Sequence, residues 1–164
     1  MSADHRMQKK DGNALDLLHD EHLELLGTFE RLRTGATWSR ASSKHLTAAC
    51  QLLQRHAQIE HELFYPALRS VIELDDLLDA ARIEHRTMSE LISELVNGRP
   101  RNGLRAARIE ALAMYVAHHF GEEEEKLFPR VRASGIDLAA LRRRMVERRA
   151  VLEMEVQAGC EVNV

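Results

Sequence analysis

Four landmarks of this 164-residue chain recur at a single offset of 63 positions: His22 and His85, His56 and His119, Glu60 and Glu123, Pro66 and Pro129. The longest match is His56-Ala-Gln-Ile-Glu60-His-Glu-Leu-Phe-Tyr-Pro66 against His119-Phe-Gly-Glu-Glu123-Glu-Glu-Lys-Leu-Phe-Pro129. An aromatic residue precedes the proline in both, and a further His stands 34 positions before each motif. A fixed offset marks an internal repeat. Each unit has room for one pair of helices. The expected fold is all-α: an up-down four-helix bundle built from two repeated helix pairs, with an additional C-terminal helix.

Apolar periodicity places the helices. Asn13 is a candidate N-cap for a helix from Ala14 to about Arg33, striped by Leu15, Leu18, His22, Leu25, Leu26 and Phe29. After a loop over 34–42, Ser42 or Ser43 caps a second helix, roughly 43–70, with Leu46, Ala49, Leu52, Leu53, His56, Ile59, Glu60 and Leu63 inward. Pro66 is expected to kink or stop it. A third helix runs from Asp75 or Asp76 to Val96, before Asn97-Gly98, and turns Leu78, Ala81, His85, Met88, Ile92 and Leu95 inward. A loop over 97–103 leads to a fourth, about Leu104 to Arg132, with Leu112, Val116, His119, Glu123 and Leu127 inside and Ser134-Gly135 after it. Asp137 caps a fifth, 138 to about 157, with Leu138, Leu141, Met145, Leu152 and Val156 on one side. The organisation expected is a flexible arm (1–12), the four-helix bundle (13–133), a covering helix (136–157) and a tail (158–164).

Composition agrees with one globular domain: 45% apolar and 30% charged residues, with three Pro and eight Gly. A net charge of −3 gives no strong pull toward nucleic acid or membrane. Cys50 and Cys160 lack CxxC spacing and suit a reducing, cytoplasmic setting. No apolar run approaches a membrane span, and the polar first residues do not read as a signal peptide.

Nine His in such a chain is the excess that needs a cause. A His and a Glu four apart share one helix face and can reach one point together. A lone His on an apolar face is usually a packed core residue. A buried Glu is costly unless paired or metal-bound. Four His and two Glu at one level on four helices exceed what a plain core gathers. Without a cation, the two carboxylates would raise each other's pKa. His22, His56, Glu60, His85, His119 and Glu123 are therefore the candidate metal ligands. His22 and His56 would hold one ion, His85 and His119 the other, with Glu60 and Glu123 each bridging. Nitrogen and oxygen donors without Cys favour iron or manganese over a structural zinc site. Open coordination positions would admit oxo, hydroxo, water, dioxygen or peroxide.

The remaining polar groups read as ordinary surface. Glu122, Glu124 and Glu125 form a solvated face around Glu123. His61 and His118 point about 100° away from their ligand neighbours and are supporting or exposed. His19, one turn before His22, is a candidate extra ligand. His5 and His45 carry no signal. Arg142-Arg-Arg144 and Arg148-Arg149, interleaved with Glu147, Glu153 and Glu155, form the outer face of a covering helix rather than a nucleic-acid surface.

At these residues the chain resembles the hemerythrin-like, or HHE cation-binding, family. The resemblance spans about residues 14–132. It rests on His22 with Leu23-Glu-Leu-Leu26 after it, and on the two H-xxx-E motifs ending in Leu63-Phe-Tyr-Pro66 and Leu127-Phe-Pro129. It implies two iron ions in an oxo- or hydroxo-bridged non-haem diiron centre, with manganese or zinc as substitutes. Family members include oxygen carriers, oxygen or redox sensors, and proteins of iron homeostasis and nitrosative or oxidative stress.

The chain departs from the oxygen carriers, which place a second His one turn after the third-helix ligand; here Met88 and Ser89 stand there. The second motif keeps Glu123-Glu124, but the first has Glu60-His61. Neither the cysteine-bearing segment of iron-centre repair proteins nor an attached signalling or ubiquitin-ligase domain is expected. The reading that follows is a stand-alone metal bundle, monomer or homodimer, taking dioxygen or peroxide as its small ligand. Binding or sensing of oxygen or iron needs an apolar pocket, for which Leu26, Leu53, Met88 and Phe120 are candidates. The alternative is a diiron enzyme acting on peroxide, oxygen or nitric oxide. A purely structural metal ranks below both, since helices of this length have core enough without it.

Overall fold

The computed structural model describes residues 12–35, 40–70, 73–98 and 102–161. The described residues form helices and connecting turns, with no strand. Helix α1 is Ala14–Thr34. Helix α2 begins as Arg40–Ile59, widens into a π turn at Glu60–Phe64, and resumes as Tyr65–Arg69. Helix α3 is Asp75–Val96. Helix α4 repeats the pattern of α2: Asn102–Glu122, a π turn at Glu123–Leu127, then Phe128–Ala133. Helix α5 is Leu138–Glu161.

Local chemistry sets several of these boundaries. The Asn13 side chain accepts from the Leu15 and Asp16 amides, and Asp16 accepts from the Asn13 amide in return, a closed capping box. The Asp137 carboxylate caps α5 by accepting from the Ala140 amide at 2.8 Å. Gly135, at φ 77°, makes the turn between α4 and α5. Helix α2 begins before Ser42 and Ser43, so neither is its N-cap, and α4 begins at Asn102 rather than Leu104. Residues 36–39 and 99–101 of the expected loops, residues 1–11 of the expected arm and residues 162–164 of the tail lie outside the described residues. Val156 is exposed, contrary to its expected inward position on α5.

Pro66 does not stop α2. A mid-helix proline removes the donor for the carbonyl four residues back, and its ring presses on that carbonyl. Here the turn widens instead: the Tyr65 amide donates to the Glu60 carbonyl, five residues back. Pro129 has the same effect in α4, where the Phe128 amide donates to the Glu123 carbonyl. Each π turn therefore opens at one of the paired glutamates. Such bulges concentrate at functional sites.

The bundle is antiparallel, as the order of its core residues shows. One apolar cluster takes Leu15 and Leu18 from α1, Ile59 and Phe64 from α2, Leu78 from α3, and Leu127 and Phe128 from α4. The other takes Leu25 and Phe29, Leu46 and Leu53, Met88 and Ile92, and Leu112 and Val116 from the same helices. Each helix passes from one cluster to the other, and the direction alternates along the chain. The paired His and Glu form a polar layer between the clusters. Helix α5 closes the first cluster with Leu141, Met145 and Leu152, packing on α1 and α2. Burying each such Leu or Phe contributes about 1.5–3 kcal/mol, so two full clusters can offset the cost of the polar layer. Among the described residues, no helix is long and apolar enough to cross a membrane.

Candidate metal centre

All six candidate ligands are buried in the polar layer. They gather into two groups. His22, His56, Glu60 and Glu123 form one; Glu60, His85 and His119 form the other. His22 Nε2 lies 3.3 Å from Glu123 Oε2, and His56 Nε2 lies 3.2 Å from Glu60 Oε1. On the other side, His85 Nε2 is 3.3 Å from Glu60 Oε2 and 2.7 Å from His119 Nε2. All four imidazoles thus turn Nε2 inward.

The donor set fits a cation. His22 Nε2, His56 Nε2, Glu60 Oε1 and Glu123 Oε2 are buried polar atoms with no hydrogen-bond partner. Leaving one such atom unsatisfied costs about 1–3 kcal/mol. Those four atoms belong to the four residues of the first group, and one ion there would satisfy them together. Glu60 offers its second oxygen to the other group. Glu123 is less even-handed than the repeat suggested. The Tyr65 hydroxyl donates to Glu123 Oε1 at 2.8 Å. The remaining Oε2 lies 3.3 Å from His22 Nε2 but 3.9 Å from His119 Nε2. Glu60 therefore joins both groups, while Glu123 joins the first.

A second ring of residues holds the imidazoles from outside. His56 Nδ1 donates to Glu21, His119 Nδ1 to Glu84, and His22 Nδ1 to Glu124, at 2.8–2.9 Å. His85 Nδ1 lies 2.8 Å from His61 Nε2. Fixing Nδ1–H leaves the Nε2 lone pair free to face a metal. A model of the Hemerythrin HHE cation binding domain matches residues 13–131. The chain belongs to the hemerythrin HHE cation-binding family.

Among solved structures, the fold is similar to a hemerythrin HHE cation binding domain-containing protein from Mycobacterium kansasii. The TM-score is 0.77 at 20% identity, over 93% of this chain and 94% of that chain. At that identity the likeness speaks for the fold alone. No curated protein matches the chain.

Several residues of this HHE centre escaped the sequence reading. Glu124 is not a purely solvated member of the acidic run, because it bends to α1 and accepts from both His22 and His19. His19 is half exposed and binds Glu124 rather than facing the inner donors, so it is not the extra ligand. His61, expected as a supporting or exposed residue, is a supporting one: it rotates off the inner face yet meets His85, because the neighbouring imidazole turns its Nδ1 outward to that flank. His118 stays largely exposed, 3.3 Å from Glu84. Arg149, assigned to the outer face of α5, reaches Glu21 at 2.9 Å and so backs up His56. Two of the missed partners had a signal: Glu21 and Glu84 share the 63-residue offset and immediately precede His22 and His85. Tyr65 had none, since its repeat mate is Phe128.

Removing an outer partner should loosen the imidazole it holds. Glu124→Ala and Glu21→Ala are each expected to weaken metal binding by roughly 10–100-fold while preserving helix content. Isothermal titration beside circular dichroism checks this; unchanged affinity in both variants contradicts the role given to these carboxylates.

The charges of the centre are unevenly set. Burial, reinforced by Glu60, raises the Glu123 carboxyl to about 8. Burial would lower His56, but the Glu60 charge and the Glu21 hydrogen bond outweigh it and lift the imidazole to about 10. Burial, with the His56 charge, takes His22 down to about 4. The raised Glu123 and His56 both hold protons at neutral pH that a metal must displace.

A pH optimum for the metal-free protein follows. Deprotonated Glu123 is disfavoured in the fold, so its contribution to stability declines as pH rises from about 4.5 toward 8. His56 contributes stability below about 6.5 that is lost as pH rises through about 10. His22 acts oppositely: its depressed value costs stability at low pH, and that cost disappears as pH rises from about 4 to 6.5. Above pH 6.5 the losses remain, and the raised His119 imidazole and, above about pH 9, the buried Cys50 thiol add to them. The metal-free melting temperature should therefore fall between pH 6.5 and 10, while metal uptake releases protons and tightens. Melts across that range and proton release in weak buffer check both; a rising melting temperature contradicts the assignment.

Proposed function

We propose that the protein holds two iron ions and uses them to bind dioxygen, in oxygen or iron sensing or in a response to oxidative stress. His22, His56, Glu60 and Glu123 would hold one ion, and Glu60, His85 and His119 the other. The observation that carries this reading is the set of four buried, unpartnered donor atoms beside a second His-rich group that shares Glu60. Imidazole and carboxylate donors without thiolate suit iron better than a structural zinc ion. The bound ions would supply the redox and ligand-binding chemistry.

The chain supplies the setting. Glu21, Glu84, Glu124 and His61 orient the imidazoles. The Tyr65 hydroxyl spans the two carboxylates, 2.8 Å from Glu123 and 3.3 Å from Glu60. Phe120 stacks on His22 with ring centroids 3.9 Å apart and excludes water from that side. Loading with ferrous iron without air, followed by controlled oxygen, tests the reading. An absorption band that appears with oxygen and vanishes on its removal supports a binding or sensing protein. Steady oxygen evolution from added peroxide assigns a peroxide-consuming enzyme instead. Failure to retain iron after saturation overturns both.

A further inference from the structure

The two halves of the centre differ in what surrounds them, although the repeat gives their inner positions the same residue types. On the His22 side the ring of Phe120 lies nearly parallel to the imidazole, at an interplanar angle of 11°. The repeat mate of Phe120 is Ala57. On the His85 side this small residue leaves a cleft of about 340 Å³ between α2 and α3, whose walls include Leu53, Ala57, Met88 and Ile92. His61 and His85 also line it. His85 is 6% exposed, whereas His22 and His119 are at 0% and His56 at 1%. The cleft therefore reaches the least covered imidazole of the four.

Its charge differs too. Glu124, the partner of His22, has His61 as its repeat mate. The carboxylate that stands beside His22 is thus replaced by an imidazole beside His85. Arg82 and Arg86, one helical turn apart on α3, also line the cleft. Both side chains are exposed, and neither has an ion pair or hydrogen bond among the described residues. Their positive charge is therefore available to a ligand, and a cleft walled by apolar groups strengthens the attraction.

We propose that this cleft is a docking site for a small anion, held by Arg82, Arg86 and His61 next to the His85 side of the centre. The position of the site relative to iron rests on the function proposed above; the cleft and its charges belong to the metal-free chain. The Ala57 and His61 positions, which break the repeat, supply the space and remove the negative charge that would repel an anion. The volume lies within the range of small-molecule pockets.

Azide and acetonitrile, linear probes of similar size that differ in charge, test this by NMR of the Met88 methyl group in metal-free protein. Azide should shift that resonance saturably. Arg82→Gln and Arg86→Gln should each weaken azide about fivefold at low ionic strength, with the difference fading at high salt. His61→Glu should weaken it roughly tenfold by like-charge repulsion. Acetonitrile should be indifferent to all three changes, and Ala57→Phe should exclude both probes. A Met88 signal that azide leaves unmoved, or azide binding insensitive to the Arg and His61 substitutions, overturns the proposal. Iron content is measured separately on the same samples, so failure to bind iron is distinguished from failure to bind an anion. In iron-loaded protein, the same Arg substitutions should slow azide association with little change in its dissociation.

Discussion

With the two iron ions proposed above, Glu60→Ala is expected to take bound iron toward zero, the largest loss of any single replacement in the centre. Glu60 is the residue common to both donor groups: Oε1 lies 3.2 Å from His56 Nε2 and Oε2 lies 3.3 Å from His85 Nε2. Losing a direct donor to both ions should exceed the roughly 10–100-fold effect of losing an outer partner. Glu123→Ala should be milder and remove chiefly the ion among His22, His56 and Glu60, because the second group does not include Glu123. His85→Ala should do the converse. Metal analysis after saturation under reducing conditions reads all three. Glu60→Gln keeps the side-chain volume, so a low iron content there with full helix content excludes simple misfolding. Two irons retained in Glu60→Ala would place the shared ligand elsewhere.

Removing metal should lower the melting temperature by about 10–20 °C. At a hundredfold excess over its dissociation constant, each ion adds about 2.7 kcal/mol to the folded state. The two ions proposed would then add about 5 kcal/mol, and a domain of this size shifts by about 2–4 °C per kcal/mol. The structural cause lies in the polar layer, where metal-free protein leaves four donor atoms unsatisfied between two apolar clusters. Calorimetry with and without chelator checks the difference. Equal melting temperatures would mean that the centre is peripheral to stability.

The repeat alone carried the bundle and its inner residues. A helix turns residues three and four apart to one face, so His56 and Glu60, or His119 and Glu123, needed no tertiary information to be paired. The apolar stripes likewise placed Leu78, Met88, Leu112 and Val116 in the core, where they lie. Pro66 and Pro129 were legible as disturbances but not as π turns. The helix can end or widen at proline, and packing of Tyr65, Leu68, Phe128 and Val131 beyond the turn favours continuation.

What tertiary structure decided is the outside of the centre and its asymmetry. Glu124 and His61 occupy matching places in the repeat and turn off the inner faces of their own helices. Each becomes a partner of an imidazole only when another helix is brought alongside. Tyr65 divides the roles of Glu60 and Glu123 by donating more closely to one of two chemically identical carboxylates. Ala57 becomes a space only because His85 and Met88 stand opposite, whereas Phe120 becomes a cover because His22 does. Periodicity along one chain specifies which face of a helix is buried; which atoms meet across that face depends on distances between helices, and those exist only after packing.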